Sequence, residues 1–129
     1  MPRFKPNTLK KKILVLEDDS VNQELLKLYL NDEFDSVLTS TIEEAMEHMN
    51  SESFDLCIAD LFLGDSDKGG IEFLKMVKAN PKLSHIPVVA FTGYENPNNQ
   101  SDVKFTYYIQ KPIMKSDFLA VIKKLLQTD

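Results

Sequence analysis

The sequence predicts an α/β domain built on one doubly wound parallel sheet. Two observations point there. Short apolar runs, Ile13-Leu14-Val15-Leu16, Leu56-Cys57-Ile58-Ala59, Val88-Val89-Ala90-Phe91 and Tyr107-Tyr108-Ile109-Gln110, are separated by longer stretches of helical periodicity. Parallel strands read this way because both of their faces are covered. Each run then ends in polar groups: Glu17-Asp18-Asp19, Asp60, Thr92-Gly93 and Lys111-Pro112. Right-handed crossovers carry such strands into a single sheet with helices on both faces.

The elements follow in order. Residues 12–16 form the first strand, and a helix runs over 20–31 with Val21, Leu25, Leu28 and Tyr29 on one face. Asp19 or Ser20 can cap that helix through a side-chain oxygen. A short second strand covers 36–39, and Thr41-Ile42-Glu43-Glu44 has the pattern of a capping box. Ile42, Ala45, Met46 and Met49 recur at helical spacing behind it. The third strand is 56–60, and a third helix over 70–80 turns Ile71, Leu74 and Val77 inward, with Pro81 and Pro87 bracketing its exit. The fourth strand is 88–92. Residues 95–102, Glu-Asn-Pro-Asn-Asn-Gln-Ser-Asp, lack apolar periodicity and contain poor helix formers. A fifth strand covers 106–110, and the last helix, 116–127, carries Phe118, Val121, Ile122, Leu125 and Leu126 on one stripe.

Composition narrows the function. The 129 residues suffice for one domain with a real core. No apolar run approaches the ~18 residues that span a bilayer, and Met1-Pro2-Arg3-Phe4-Lys5 lacks the apolar stretch of a signal peptide. The cytoplasm is therefore the expected location. The net charge is −5, yet residues 1–12 carry five basic residues and no acid, which leaves −10 on residues 13–129. An acidic body argues against nucleic acid as a direct ligand, and the basic leader reads as a solvated tail. Residues 1–11 are read as a basic N-terminal extension and 12–129 as the domain.

Open parallel sheets bind ligands at the carboxyl ends of their strands. Carboxylates, a hydroxyl and an ammonium should therefore converge on one crevice. Carboxylates ~4 Å apart repel by roughly 4 kcal/mol at an effective dielectric near 20, so Glu17, Asp18 and Asp60 call for a counter-ion. Oxygen-only ligands favour magnesium with several retained waters.

In that order and spacing, Ile13 to Asp19, Phe54 to Asp60, Ile86 to Gly93 and Tyr108 to Pro112 resemble the landmarks of response-regulator receiver domains. The resemblance spans about residues 11–127. It implies a flavodoxin-like five-stranded sheet of order 2-1-3-4-5. It also implies a phosphoacceptor module of a two-component or phosphorelay system, phosphorylated on Asp60 with magnesium and switching a protein-interaction surface. Glu17, Asp18, Asp60 and the Phe62 backbone carbonyl would hold the metal. Thr92, Gly93 and Lys111 would contact the phosphoryl group, with Asp60, Thr92 and Lys111 as the catalytic set. Thr92 and Tyr108 would be the switch pair, and the bond before Pro112 would be cis. Phe62 and Tyr94 would flank the path of hydrolytic water. The implied partners are a histidine kinase or histidine phosphotransfer protein and a downstream protein target, and the family allows a phosphorylation-dependent homodimer. No enzymatic activity is implied beyond magnesium-dependent gain and loss of the Asp60 phosphoryl group.

The chain departs from the family pattern in three places. Gly64 stands where proline is usual, the loop from Asp65 to Gly69 is longer than usual, and the interval from Thr92 to Lys111 is shorter. The helix between the fourth and fifth strands is expected to be short or irregular, which puts the output face it normally builds in question.

Two other functions compete. An unphosphorylated pseudo-receiver would dock partners without titrating with phosphate. An aspartate-nucleophile phosphatase of the haloacid-dehalogenase kind needs a second aspartate two residues after the nucleophile, and here Phe62 stands there. The remaining residues read plainly. Asp65-Ser66-Asp67 lacks the later ligands of a calcium loop, and Met76 occupies the place of its bidentate glutamate. His48 and His85 are far apart, Met46, Met49 and Met76 read as core filler, and Cys57 as a small core hydrophobe.

Overall fold

The computed structural model describes residues 10–63, 69–93 and 103–127. Among these residues, five strands and four helices follow in the order β1 (Lys12–Leu16), α1 (Ser20–Leu30), β2 (Asp35–Thr39), α2 (Ile42–Ser51), β3 (Leu56–Asp60), α3 (Gly69–Ala79), β4 (Val88–Thr92), β5 (Tyr107–Gln110) and α4 (Lys115–Leu126). All pairings are parallel, and the sheet order is β2-β1-β3-β4-β5, as the resemblance implied. The segment 94–102, where an irregular helix was expected, lies outside the described residues, as do Gly64 and the loop 65–68.

Strand side chains alternate between two cores. Leu14, Leu16, Cys57, Ala59, Val88 and Ala90 face α2 and α3, where they meet Ala45, Met49, Phe73, Leu74 and Val77. Ile13, Val15, Leu56, Ile58, Val89 and Phe91 face the other way, onto Leu26, Leu30, Phe118 and Ile122 of α1 and α4. Burial on both faces is why the central strands are apolar throughout instead of alternating.

Local chemistry starts the helices as expected. Asp19 Oδ2 accepts from the Asn22 N–H at 3.0 Å and caps α1. Thr41 Oγ1 accepts from the Glu44 N–H at 3.1 Å, and the Glu44 carboxylate accepts in return from the Ser40 N–H at 2.8 Å.

Two packing expectations are corrected. The inward side of α1 is Leu26 and Leu30, whereas Val21 is 72% and Leu28 65% exposed. Leucines at 25, 26, 28 and 30 surround this helix with apolar positions, so spacing alone cannot choose the face. The choice is made by α4 and the segment just before it: Tyr29 packs 5.4 Å from the Phe118 ring of α4, and its hydroxyl donates to the Ile113 carbonyl at 2.8 Å. Met76 is an exposed residue and not core filler, because Phe73, Leu74 and Val77 take the buried side of α3.

Candidate functional site

Strand register assembles the site. Leu16 pairs with Ala59, so Glu17 and Asp60 leave neighbouring strands side by side. Asp60 pairs with Phe91, and Thr92 follows on the far side. Thr92 pairs with Gln110, and the Lys111 N–H donates to the Thr92 carbonyl at 2.7 Å, which brings the lysine to the same edge. The bond between Lys111 and Pro112 is cis.

Glu17, Asp18 and Asp60 each present a carboxylate oxygen within 4.8 Å of the others. Glu17 is 1% and Asp60 7% exposed, while Asp18 faces solvent. Lys111 Nζ stands 3.4 Å from Glu17 Oε1 and 3.4 Å from Asp60 Oδ2, and it lies over the Phe91 ring, 4.9 Å from the centroid. The other oxygens are oriented by backbone. Asp60 Oδ1 accepts from the Phe62 N–H at 3.2 Å, and Glu17 Oε2 accepts from the Asp19 N–H at 3.1 Å.

Burial is expensive for this much negative charge. It raises the Glu17 carboxyl from 4.5 to about 7, opposed by the Asp19 N–H and reinforced by the Asp60 charge and a hydrogen bond to Asp60, with Lys111 pulling the other way. Among the described residues, Lys111 is the cation that faces Glu17 and Asp60, and three carboxylates gather around that point. All-oxygen donors, two of them buried and aimed at one point, suit a small hard divalent ion.

Thr92 is fully buried at the end of β4, and a Cβ built on Gly93 meets nothing within 4 Å, so the backbone there is open to a group arriving from solvent. Phe62 is half-buried and packs against the core beneath α2 and α3. Tyr94, the other residue expected on the water path, lies outside the described residues. Tyr108 is half-buried in β5, opposite Ala90, and packs on the same core. The structure thus brings Glu17, Asp18, Asp60 and Lys111 into one cluster, with Thr92, Gly93 and Phe62 beside them in the chain or sheet.

One supporting residue escaped the sequence. Gln23 donates from its amide to the Glu17 carbonyl at 2.6 Å and to the Thr39 carbonyl at 3.2 Å, tying α1 to the ends of β1 and β2. A glutamine on the polar side of a helix carries no signal of this. It becomes legible only once Thr39 is known to receive the Glu17 N–H as well, at 2.9 Å.

A profile of the response regulator receiver domain matches residues 13–123. The polar-differentiation response regulator DivK of Brucella ovis is 28% identical over 120 residues, 90% of this chain and 96% of that protein. A chemotaxis response regulator of Vibrio cholerae has the same fold, with a TM-score of 0.81 at 20% identity over 90% of this chain and 98% of its own. So does the receiver domain of a sensor histidine kinase from Pseudomonas aeruginosa, solved with a magnesium ion coordinated in its active site cleft. Its TM-score is 0.82 at 17% identity, over 92% of this chain and 99% of its own. With a matching profile laid over a sheet whose strand ends carry the landmark residues, the chain belongs to the response regulator receiver domains of two-component signalling.

Proposed function

We propose that this chain receives a phosphoryl group on Asp60 and that the modified form presents a changed surface to a protein partner. The observation that carries this reading is the Asp60 carboxylate itself: nearly buried, held by the Phe62 N–H, and set between Lys111 and the Glu17–Asp18 pair. An Asp60 oxygen attacks phosphorus, the bond from phosphorus to the donor breaks, and the donor leaves with the electron pair. The product is an acyl phosphate. Lys111 compensates charge on the phosphoryl oxygens, and the Thr92 hydroxyl and Gly93 backbone receive them. Glu17, Asp18, Asp60 and the Phe62 carbonyl are the groups that would hold magnesium, which supplies positive charge to the phosphoryl oxygens when bound.

Receiver domains interact with histidine kinases and downstream targets. For this chain the proposed donor is a histidine kinase or histidine phosphotransfer protein in the cytoplasm, and the output is a protein contact, with homodimerisation as one form of it. Among the described residues no helix is long and apolar enough to cross a membrane. The working unit is taken as 12–129, with 1–11 as a basic extension. Acetyl phosphate with magnesium tests the chemistry. The intact mass should rise by one phosphoryl group in the native chain and not in Asp60→Asn. A full gain in that variant would remove Asp60 from the role.

A further inference from the structure

Gly69 and Gly70 open α3, and both are buried. Neither adopts a left-handed backbone, so conformational freedom is not the reason for them. What sets them apart is what a side chain would strike. A Cβ on Gly70 would lie 2.5 Å from the Asp60 carbonyl oxygen, 2.9 Å from Leu61 Cα and 3.1 Å from the Asp60 carbonyl carbon. For Gly69 the nearest atoms all belong to the Leu63 side chain, at 2.7 to 2.8 Å. The Gly70 N–H also donates to the Leu61 carbonyl at 3.1 Å. The first turn of α3 is therefore seated on the peptide between Asp60 and Leu61.

That peptide is the footing of the proposed phosphoacceptor. The Asp60 side chain leaves from one end of it, and the Phe62 N–H, one residue on, returns to Asp60 Oδ1 at 3.2 Å. The strand has little room to retreat, since Asp60 pairs with Phe91 and Leu61 is fully buried. We propose that Gly70 is a positioning residue: its missing side chain lets α3 clamp the Asp60–Leu61 peptide and aim the Asp60 carboxylate at Lys111 and the Glu17–Asp18 pair. This rests on the reading that Asp60 accepts phosphate. Ordinary contacts to carbon fall at ~3.5 Å or beyond, so a methyl group at Gly70 would push peptide or helix by about an ångström. Misplacement of a reacting group by ~1 Å costs on the order of a hundredfold in rate.

The test compares the native chain with Gly70→Ala and Gly69→Ala. Both variants add a buried methyl group at the same helix end, but only one presses on the Asp60 backbone. Magnesium affinity by calorimetry, and the phosphorylation rate from acetyl phosphate at saturating magnesium, are measured well below each melting temperature, so that folded protein alone is compared. Gly70→Ala should lose about tenfold or more in both, and Gly69→Ala should stay within about twofold of native whatever its stability. A Gly70→Ala chain that melts lower yet binds magnesium and gains phosphate like the native chain would overturn the proposal. If Gly70→Ala does not fold, the measurement is repeated in trimethylamine N-oxide, which favours the compact state. Persistent unfolding there, with Gly69→Ala folded, would assign Gly70 a purely structural task and also overturn it. A native chain that gains no phosphate counts against the Asp60 reading, whereas native uptake with no loss in Gly70→Ala counts against Gly70 alone.

Discussion

Replacing Glu17 by glutamine should remove a pH-dependent penalty from the fold. Glu17 is 1% exposed, and burial with the Asp60 charge raises its carboxyl from 4.5 to about 7. Below pH 4.5 the group is protonated in folded and unfolded chains alike and contributes no difference. As pH rises, the unfolded carboxyl ionises first and favours unfolding. The loss grows until about pH 7, where the folded carboxyl ionises too, and stays constant above it. The size is ~3 kcal/mol, from about 1.4 kcal/mol per tenfold change in proton affinity. Glutamine can accept from the Asp19 N–H and donate to Asp60, so its amide fits where the neutral carboxyl fits. Urea unfolding followed by circular dichroism in EDTA, from pH 4.5 to 7.5, gives the stability of Glu17→Gln minus native. That difference should climb by ~3 kcal/mol toward the variant. Taking a difference cancels groups that titrate elsewhere. A difference flat to within about 1 kcal/mol would refute the placement of a charged glutamate in a dry, crowded site.

Further outcomes follow from the same crowding. If Glu17 helps to hold magnesium, as proposed, binding displaces its proton, so the affinity should fall about tenfold per pH unit below 7, and a pH-independent dissociation constant by calorimetry would be the wrong result. Asp18→Asn should lose magnesium affinity while its metal-free stability stays within about 1 kcal/mol of native or rises, because Asp18 is exposed and its loss relieves repulsion; a markedly lower melting temperature in EDTA would contradict this. Beryllofluoride with magnesium should alter the ring environment of Tyr108, read by NMR of labelled tyrosine, and the change should vanish in Thr92→Ala; an unchanged ring would make Tyr108 plain packing. If Phe62 and Tyr94 flank the path of hydrolytic water, as the resemblance implies, Phe62→Asn with Tyr94→Glu should shorten the phosphoprotein lifetime about tenfold or more. Equal decay after donor removal would dismiss the shielding.

Sheet and strand bounds are legible in the sequence because burial on both faces makes the central strands apolar without interruption. Leu56 to Asp60 and Val88 to Thr92 are buried throughout, and none of the described helices carries such a run. The capped helices are legible for a local reason, since Asp19 and Thr41 satisfy N–H groups within their own first turns. What stays hidden depends on partners far along the chain. Which face of α1 turns inward is decided by Phe118 and Ile113, roughly ninety residues away. Gln23 is given its role by carbonyls at the ends of two strands. Gly70 looks like an ordinary helix-opening glycine until Asp60 is placed beneath it.

The site is legible for the opposite reason: it breaks the pattern around it. Apolar strands that continued as apolar loops would build a better core, yet these end in Glu17, Asp60 and Thr92, all buried. Sequences that fold by consistent local choices violate them where function demands it. The violation is also concentrated. Glu17 and Asp60 both face Lys111, with Asp18 alongside. A domain selected for stability alone would dilute that charge or pair it in full. Carboxylates concentrated on rigid strand ends instead favour whatever brings positive charge to them. Under the proposed function the carboxylate cluster would respond to cation and phosphoryl occupancy together, because each would lower the penalty that the other meets on arrival. Magnesium and the phosphoryl group should therefore bind with positive coupling, and phosphomimetic affinity measured with and without magnesium gives its size.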